Sequence, residues 1–218
     1  MKTRRIFILF FSLLMLQVFA QKQDSVEVRY QYKPNFMVGV DLLNTGVAFF
    51  SDRKLFQGFV SSEIRKDIHA RVSAGYESNL YQKNGYHASA SGPFVKLGGF
   101  YMLAKDPENN LNGFYGGANF AASLYRQEYR AVPVRGYQGG DAWVSFPASS
   151  QSSYWAEAIV GGRVQLFRSP FYIDVNVQPR YLLYSTKQDD IRPMIVPGFG
   201  KSSTKVNFGF SWNIAYFF

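Results

Sequence analysis

The 218-residue chain contains no cysteine and only two histidines. The absence of cysteine excludes a disulfide scaffold, a thiolate metal site, a cysteine nucleophile and a lipid-anchored N-terminal cysteine. Charged residues are also scarce, at 18% of the chain, and only one long apolar run is present. A single apolar run argues against a helical protein that crosses a membrane several times.

Apolar and aromatic residues are abundant instead. Hydrophobic residues form 47% of the chain, with 21 Phe, 15 Tyr and 3 Trp beside 19 Gly. This apolar content is too high for an intrinsically disordered chain. The excess of aromatic residues and glycine favours strands over helices.

The start of the chain is typical of a secretory signal peptide. Lys2, Arg4 and Arg5 form a basic segment, residues 6–16 are apolar, and Ala20 closes a cleavage motif. We therefore predict a signal peptide over residues 1–20 and a periplasmic segment over 21–34, with an uncleaved membrane anchor as the alternative. Because the exported chain has no clustered basic stripe, we expect no nucleic-acid partner.

Residues 35–218 alternate between apolar and polar side chains, most clearly at the C-terminal end. From Val206 to Phe218 every second residue is apolar, so one face of this segment is continuously hydrophobic. Other segments show the same period of two, some less clearly. The eight predicted strands cover residues 36–42, 57–64, 68–77, 93–104, 114–126, 154–166, 171–184 and 206–218.

Short and long connections alternate along the chain between the predicted strands. Short ones fall at 65–67, 105–112 and 167–170, and long loops at 44–56, 79–92, 127–153 and 185–203. In outer-membrane barrels the short turns face the periplasm and the long loops face outside. We predict an all-β fold, a closed antiparallel up-and-down transmembrane β-barrel of eight strands with an interior filled by side chains. Pro179 cannot donate a ladder hydrogen bond, and we expect a β-bulge there.

The polar face of the predicted strands carries charges of both signs. These residues are Asp41, Glu63, Arg71, Glu77, Lys96, Glu157, Arg163, Asp174 and Arg180. A balanced set of acids and bases can pair inside a narrow lumen, whereas a solvated outer face is normally denser in lysine and glutamate. Alternation alone leaves open a soluble lipocalin-like barrel, whose apolar side chains point inward.

Aromatic residues also stand near the ends of the predicted strands. They are Tyr76, Tyr101, Tyr154, Phe171, Tyr181 and Tyr216. Membrane barrels place such residues at their two lipid–water interfaces, and we predict the same position for this set.

With its export signal, eight strands and aromatic C-terminus, the chain resembles the small outer-membrane β-barrels of Gram-negative envelopes. The resemblance depends most on the apolar residues of the last strand, Phe208, Phe210, Trp212, Ile214, Tyr216 and Phe218. It implies two partners, outer-membrane lipid and the outer-membrane insertion machinery that reads such a terminal strand. The segments 36–42 and 196–199 are also similar to one barrel family that has no established activity.

The sequence offers little for catalysis. Some small outer-membrane barrels are lipid-modifying hydrolases or acyltransferases, and they use His, Ser and acidic groups near the outer rim. The residues that come nearest to such a set are His87, Ser89, Ser91 and Glu77, but no spacing motif supports them. Two separated histidines and an Asp pair at 189–190 do not make a metal site. We predict no catalytic residue, no metal site and no cofactor.

The long loops are the remaining place for recognition. The third predicted loop contains Arg130, Arg135, Tyr137 and Trp143. Arginine and aromatic side chains suit a binding surface, and the alternative, which we favour, is that they cap the barrel mouth or pack at the lipid interface. We expect a non-enzymatic outer-membrane protein with a structural or surface-interaction role and an unidentified surface ligand. The alternatives are a lipid-modifying enzyme and a soluble periplasmic binding barrel.

Overall fold

The computed structural model describes residues 35–136, 140–188 and 191–218. These residues form β1 (Met37–Asp41), α1 (Leu42–Ala48), β2 (Arg53–Arg65), β3 (Ile68–Lys83), β4 (Tyr86–Lys105), β5 (Gly113–Arg135), β6 (Asp141–Gln165), β7 (Phe171–Ser185), β8 (Ile195–Val196), β9 (Gly200–Lys201) and β10 (Val206–Phe217). The predicted signal peptide and the segment 21–34 lie outside the described residues, as do Tyr137 and the Asp pair at 189–190. In the described ranges no helix is both long and apolar enough to cross a membrane.

Eight of these strands close into one antiparallel barrel, which confirms the predicted fold. Their order around the ring is β1-β10-β7-β6-β5-β4-β3-β2, so consecutive barrel strands are neighbours. The ring is closed by β1, which is only five residues long. Val40 of β1 pairs with Ile214 of β10 on one side and with Gly58 of β2 on the other. β8 and β9 form a separate small hairpin within the last connection.

The barrel has two different ends. The first, which we call the terminal end, holds residues 35 and 218 and the turns at 66–67, 106–112 and 166–170. The opposite end, which we call the hairpin end, holds α1, the β3–β4 turn, the β5–β6 turn and the connection between β7 and β10. The short turns therefore lie together, as the order of the connections predicted.

Two of the predicted long loops, 79–92 and 127–153, are wrong because the flanking strands continue much further. β3 and β4 run to a two-residue turn at Asn84-Gly85, where φ is 56° and 79°. Two positive φ angles are typical of the type I′ hairpin turn. β5 and β6 remain paired up to Arg135, so Arg130, Arg135 and Trp143 lie in strands and not in a loop. Polar residues on both faces of these extensions hide the alternation in the sequence.

The expected bulge at Pro179 is also wrong. On the β10 side, Pro179 pairs with Phe208 in an unbroken register. On the β6 side, the paired residues of β7 stop at Arg180 and resume at Val177 without a shift. The missing N–H of proline is thus accommodated by a gap in the ladder and not by an extra residue.

Alternation gives the barrel an apolar outside and a polar inside. Each barrel strand exposes apolar side chains on its outer face, and one from each strand is Val40, Val60, Val72, Leu97, Phe120, Val160, Val177 and Trp212. The inner face buries acids, bases, amides and serines together with aromatic rings. This distribution is the reverse of the soluble lipocalin-like alternative, whose apolar side chains would point inward.

The connection between β7 and β10 folds back into the mouth of the barrel. Residues 193–199, which we call the plug, are buried apart from the half-buried Met194. The Phe199 ring lies edge-on against Trp155 of β6, with ring centroids 5.9 Å apart. Phe94 of β4 belongs to the same apolar cluster. Apolar packing therefore fills the β4–β6 side of the lumen at the hairpin end.

The variant Gly198→Ala tests how the plug is held. Gly198 has a φ of 80°, and a Cβ there would overlap the Phe94 ring. We expect a loss of about 2–3 kcal/mol of unfolding free energy, from backbone strain and the displaced ring. Urea titration in detergent micelles measures this loss.

Gly46→Ala is the matched control for this experiment. A Cβ at Gly46 enters open space within α1, where alanine is favoured over glycine by about 1 kcal/mol. Equal stabilities of the two variants would contradict the tight fit of the plug.

Candidate functional site

The charged side chains of the inner face are concentrated in the barrel interior. Among the described residues, the buried charged side chains are Asp41, Arg71, Glu77, Lys96, Glu157, Arg163, Asp174 and Arg180, each at most 8% exposed. Four acids therefore face four bases inside the barrel. All eight belong to the predicted lumen set; the ninth member of that set, Glu63, lies elsewhere.

Asp174 of β7 is the centre of the charge cluster nearer the terminal end. Arg163 Nε donates to its Oδ2 at 3.1 Å, and Arg71 Nη1 lies 3.7 Å from its Oδ1. The Tyr115 hydroxyl and Asn176 Nδ2 also donate to Oδ1, at 2.9 Å and 3.0 Å. Two cations thus share one buried carboxylate, so neither arginine is buried without an opposite charge.

Aromatic rings cover the two arginines of this cluster. Arg71 Cζ lies 3.8 Å from the Phe59 ring centroid, and Arg163 Cζ lies 5.3 Å from that of Phe100. Cation–π contacts of this kind stabilise a guanidinium that is removed from water. The His69 ring stacks on Phe100 at 4.8 Å, which places this histidine in the same packed layer.

A second cluster surrounds Glu157 of β6, closer to the plug. Lys96 Nζ donates to Oε1 at 2.9 Å, and Arg180 Nε lies 2.9 Å from the same oxygen. Trp155 Nε1 donates to Oε1 at 2.8 Å, and Asn119 Nδ2 donates to Oε2 at 3.3 Å. Two cations again share one acid, and the cluster by itself keeps one positive charge in excess.

Glu77 of β3 connects the barrel wall to the plug. Its Oε2 accepts the backbone N–H of Gly198 at 2.7 Å, and its Oε1 accepts from Arg53 Nε at 2.7 Å. Arg180 adds a second connection, because its Nη1 donates to the Phe199 carbonyl at 3.1 Å. Arg53 is absent from the predicted set because the sequence assigned it to the loop 44–56. In the structure β2 begins at Arg53 and not at residue 57, and this places the Arg53 side chain beside Glu77.

Asp41 and Glu63 serve neighbouring connections and not the two clusters. Asp41 is the N-cap of α1, where its Oδ1 accepts the Asn44 backbone N–H at 3.1 Å. Glu63 is half-buried at the terminal end, and its Oε1 accepts the Asp67 backbone N–H in the β2–β3 turn at 3.0 Å. We therefore correct the predicted lumen network: among the described residues neither Asp41 nor Glu63 is in an ion pair, because each carboxylate binds its adjacent connection.

A cavity of about 400 Å³ lies between the plug, α1 and the strands β2, β7, β9 and β10. Its charged lining residues are Arg53, Arg180, Lys201 and Asp41. Asparagine, glutamine and serine side chains supply further polar groups. The lining therefore combines an excess of positive charge with neutral hydrogen-bonding groups. Sequence patterns did not reveal this cavity, because its walls come from distant parts of the chain.

The Ser–His–acid set considered from the sequence is not assembled. His87, Ser89 and Ser91 lie on the outer face of β4, whereas Glu77 is fully buried on the inner face of β3. His87 Nε2 instead lies 3.0 Å from Gln82 Nε2. Within the residues that the structure describes, no group of three or more His, Asp or Glu side chains could hold a metal ion.

The predicted recognition residues share the β5–β6 hairpin. Arg130 faces outward, and its Nε lies 3.2 Å from Glu128 Oε1. Arg135 is the last residue of β5. Trp143 is 62% exposed and lies beside Gly85 of the β3–β4 turn. These residues are therefore spread along the β5–β6 hairpin.

The predicted assembly signal lies on the outer face of the last strand. Its members are Phe208, Phe210, Trp212, Ile214, Tyr216 and Phe218, of which Ile214 is half-buried and the others are exposed. One continuous apolar surface, mostly aromatic, therefore runs along β10 to Phe218.

The family described as Domain of unknown function (DUF6048) matches residues 2–218. The chain belongs to this family. The expectation of a family without an established activity is thereby confirmed. No curated protein matches the chain. Among solved structures, the chain is similar to the N-terminal beta-barrel domain of Pseudomonas aeruginosa OprF, with 10% identity, a TM-score of 0.35, and coverage of 86% of this chain and 100% of that chain.

The variant Asp174→Asn tests the buried charge balance. It leaves Arg71 and Arg163 without their shared acid, and we expect a loss of about 3–5 kcal/mol of unfolding free energy. Urea titration in detergent, followed by tryptophan fluorescence, measures the loss. Asp106→Asn is the control, because Asp106 lies in the β4–β5 turn and accepts from the Glu108 backbone N–H. A loss at Asp174 as small as that at Asp106 would argue against a structural role of this cluster.

Proposed function

We propose that this chain is an integral outer-membrane β-barrel without catalytic activity, with a structural or surface-interaction role exerted through its hairpin end. The observation that carries the proposal is the apolar outer face of all eight barrel strands, which we call the apolar belt. Large exposed apolar surfaces mark contact with lipid or protein. A belt that encircles a closed barrel fits a lipid bilayer.

The height of the apolar belt matches a bilayer. The outer face of β5 is apolar or glycine from Phe114 to Leu124, and then carries Arg126, Glu128 and Arg130. The ten residue-to-residue steps from Phe114 to Leu124 rise about 3.3 Å each, and at a strand tilt of roughly 40° they span about 25 Å along the barrel axis. The outward apolar band of membrane barrels has a height of about 25 Å.

Aromatic residues flank the belt on both sides. Tyr101, Phe171 and Tyr216 are exposed toward the terminal end, and Tyr76, Tyr154 and Tyr181 are exposed toward the hairpin end. The Phe171 and Tyr216 rings are in contact, with centroids 5.1 Å apart. Two such levels support the predicted pair of lipid–water interfaces.

The filled interior supports a structural or recognition role over passage of solutes. Ion pairs cross the lumen from β4 to β6 through Lys96 and Glu157, and from β3 to β7 through Arg71 and Asp174. The plug fills part of the space between them and the hairpin end. An eight-stranded barrel has an interior just wide enough for side chains to fill.

The hairpin end provides a surface beyond the belt, in which the β5–β6 hairpin is joined to the plug region. Outside the spanning segments, the Tyr129 hydroxyl donates to the Arg192 carbonyl at 3.2 Å and accepts the Met194 backbone N–H at 3.2 Å. Burial raises the pKa of the Tyr129 phenol, so the hydroxyl remains a donor at neutral pH. The β5–β6 hairpin is therefore joined to the plug region, and its Arg130, Arg135 and Trp143 are proposed recognition residues.

Two partners follow from this proposal. Outer-membrane lipid covers the apolar belt, and the outer-membrane insertion machinery binds the exposed aromatic strand that ends at Phe218. The basic and apolar start of the chain supports export by a signal peptide over residues 1–20.

The variants Leu97→Arg and Ser89→Arg test whether lipid covers the belt. Both residues lie on the outer face of β4, with Leu97 opposite Phe120 inside the belt and Ser89 opposite Glu128 beyond it. In lipid vesicles, Leu97→Arg should lose about 2–4 kcal/mol of folding free energy, and Ser89→Arg less than about 1 kcal/mol. Equal small losses would contradict a membrane-spanning belt, as would recovery of the protein in the soluble periplasmic fraction.

Single cysteines can report the orientation, because the chain has no cysteine of its own. Gly140 lies at the hairpin end with open space around it, and Glu108 is exposed in a turn at the terminal end. We expect a membrane-impermeant maleimide to label Gly140→Cys on intact cells, and Glu108→Cys only after the outer membrane is permeabilised. The opposite pattern would reverse the proposed orientation.

A further inference from the structure

We propose that the cavity beside the plug binds a small anionic carbohydrate, either a sugar phosphate or a sugar acid. The inference rests on the proposed function for its setting, because an external ligand reaches the hairpin end only if that end faces outward. The binding itself depends on the lining of the cavity alone.

The cavity occupies the side of the barrel mouth that the plug leaves open. The plug packs against β4, β5 and β6 through Phe94, Tyr125 and Trp155. The cavity lies toward α1, β2 and β10. Its volume of about 400 Å³ falls within the roughly 300–1,000 Å³ that is usual for ligand pockets. That size suits a small sugar and not an extended polysaccharide.

The lining carries more positive than negative charge. Arg53, Arg180 and Lys201 are its cations, and Asp41 is its one acid among the described residues. Both carboxylate oxygens of Asp41 accept hydrogen bonds from Asn44. Asp41 therefore caps α1 and keeps its negative charge, which offsets part of that of Arg180, so the three cations of the lining still exceed its one acid.

Other acids leave part of this positive charge uncompensated. Arg180 must share Glu157 with Lys96. Lys201 is in no ion pair within the part of the chain that the structure describes. A ligand carboxylate or phosphate would supply the missing charge through charge-assisted hydrogen bonds, which are stronger than neutral ones.

Neutral groups in the lining suit the hydroxyl groups of a sugar. They are the side-chain amides of Gln57 and Asn79. An amide offers both donors and an acceptor, and a sugar hydroxyl needs both. Gly209 gives the Arg180 guanidinium its room, because a Cβ there would overlap it.

Isothermal titration calorimetry of the purified protein in detergent at low salt tests the proposal. The probes are glucose 6-phosphate, glucuronate, inorganic phosphate and glucose. We expect at least one of the two anionic sugars to bind about tenfold or more tightly than both glucose and inorganic phosphate. The two anionic arms distinguish a phosphate from a carboxylate ligand. Absence of binding by both anionic sugars, or equal binding of glucose or inorganic phosphate, would overturn the proposal.

Variants of the lining locate the site. Lys201→Gln should weaken binding of the preferred anionic sugar by about threefold to tenfold. Lys205→Gln is the matched control, since Lys205 is exposed in the same connection and is not part of this lining. Arg53→Gln should also weaken binding. Because Arg53 pairs with Glu77 as well, heat-modifiable gel mobility must first show that each variant is folded.

Unchanged affinity in both Lys201→Gln and Arg53→Gln would overturn the assigned location. Absence of binding by a protein that fractionates with the outer membrane refutes this inference alone. Recovery of a ligand-binding protein in the soluble fraction refutes the proposed function alone.

Discussion

A closed sheet of eight strands has no edge and points every second side chain into one narrow space, so charges placed there must satisfy one another. Asp174 and Glu157 meet this constraint in the same way. Each carboxylate holds one cation from an adjacent strand and one from a strand that is not its neighbour, and tyrosine, tryptophan or asparagine donors occupy its remaining positions. Arg71 and Asp174 connect opposite walls of the barrel, Lys96 and Glu157 connect β4 to β6, and these ion pairs support the filled interior.

Buried charged side chains also hold the plug in the mouth of the barrel. Glu77 binds a backbone amide of the plug, and Arg180 binds both Glu157 and a plug carbonyl. The interior charges thus support the position of a loop that would otherwise have to be held by apolar packing alone. The cavity beside the plug is lined by Arg53 and Arg180, so two cations of this network face it.

The strands and the lumen charges could be predicted because a period of two is a local property of the sequence. Contacts between residues that are far apart in the sequence could not be predicted in this way. The hydrogen bond between Gly198 and Glu77 joins residues 121 positions apart, and no local pattern announces it. The continuation of β3 to β6 past their apolar residues depends on cross-strand pairing. Glu63 differs for a local reason: the alternation placed its side chain in the lumen network, but its carboxylate accepts a hydrogen bond from the adjacent β2–β3 turn.

The shortness of β1 has a consequence for how the ring is sealed. β1 offers five paired positions to β10 and four to β2, whereas β5 and β6 pair over most of their length. The pairings of β1 with β10 and β2 therefore have the fewest backbone hydrogen bonds in the barrel. We therefore expect the pairings of β1 to form last during assembly. We also expect them to separate first when the barrel is pulled or heated.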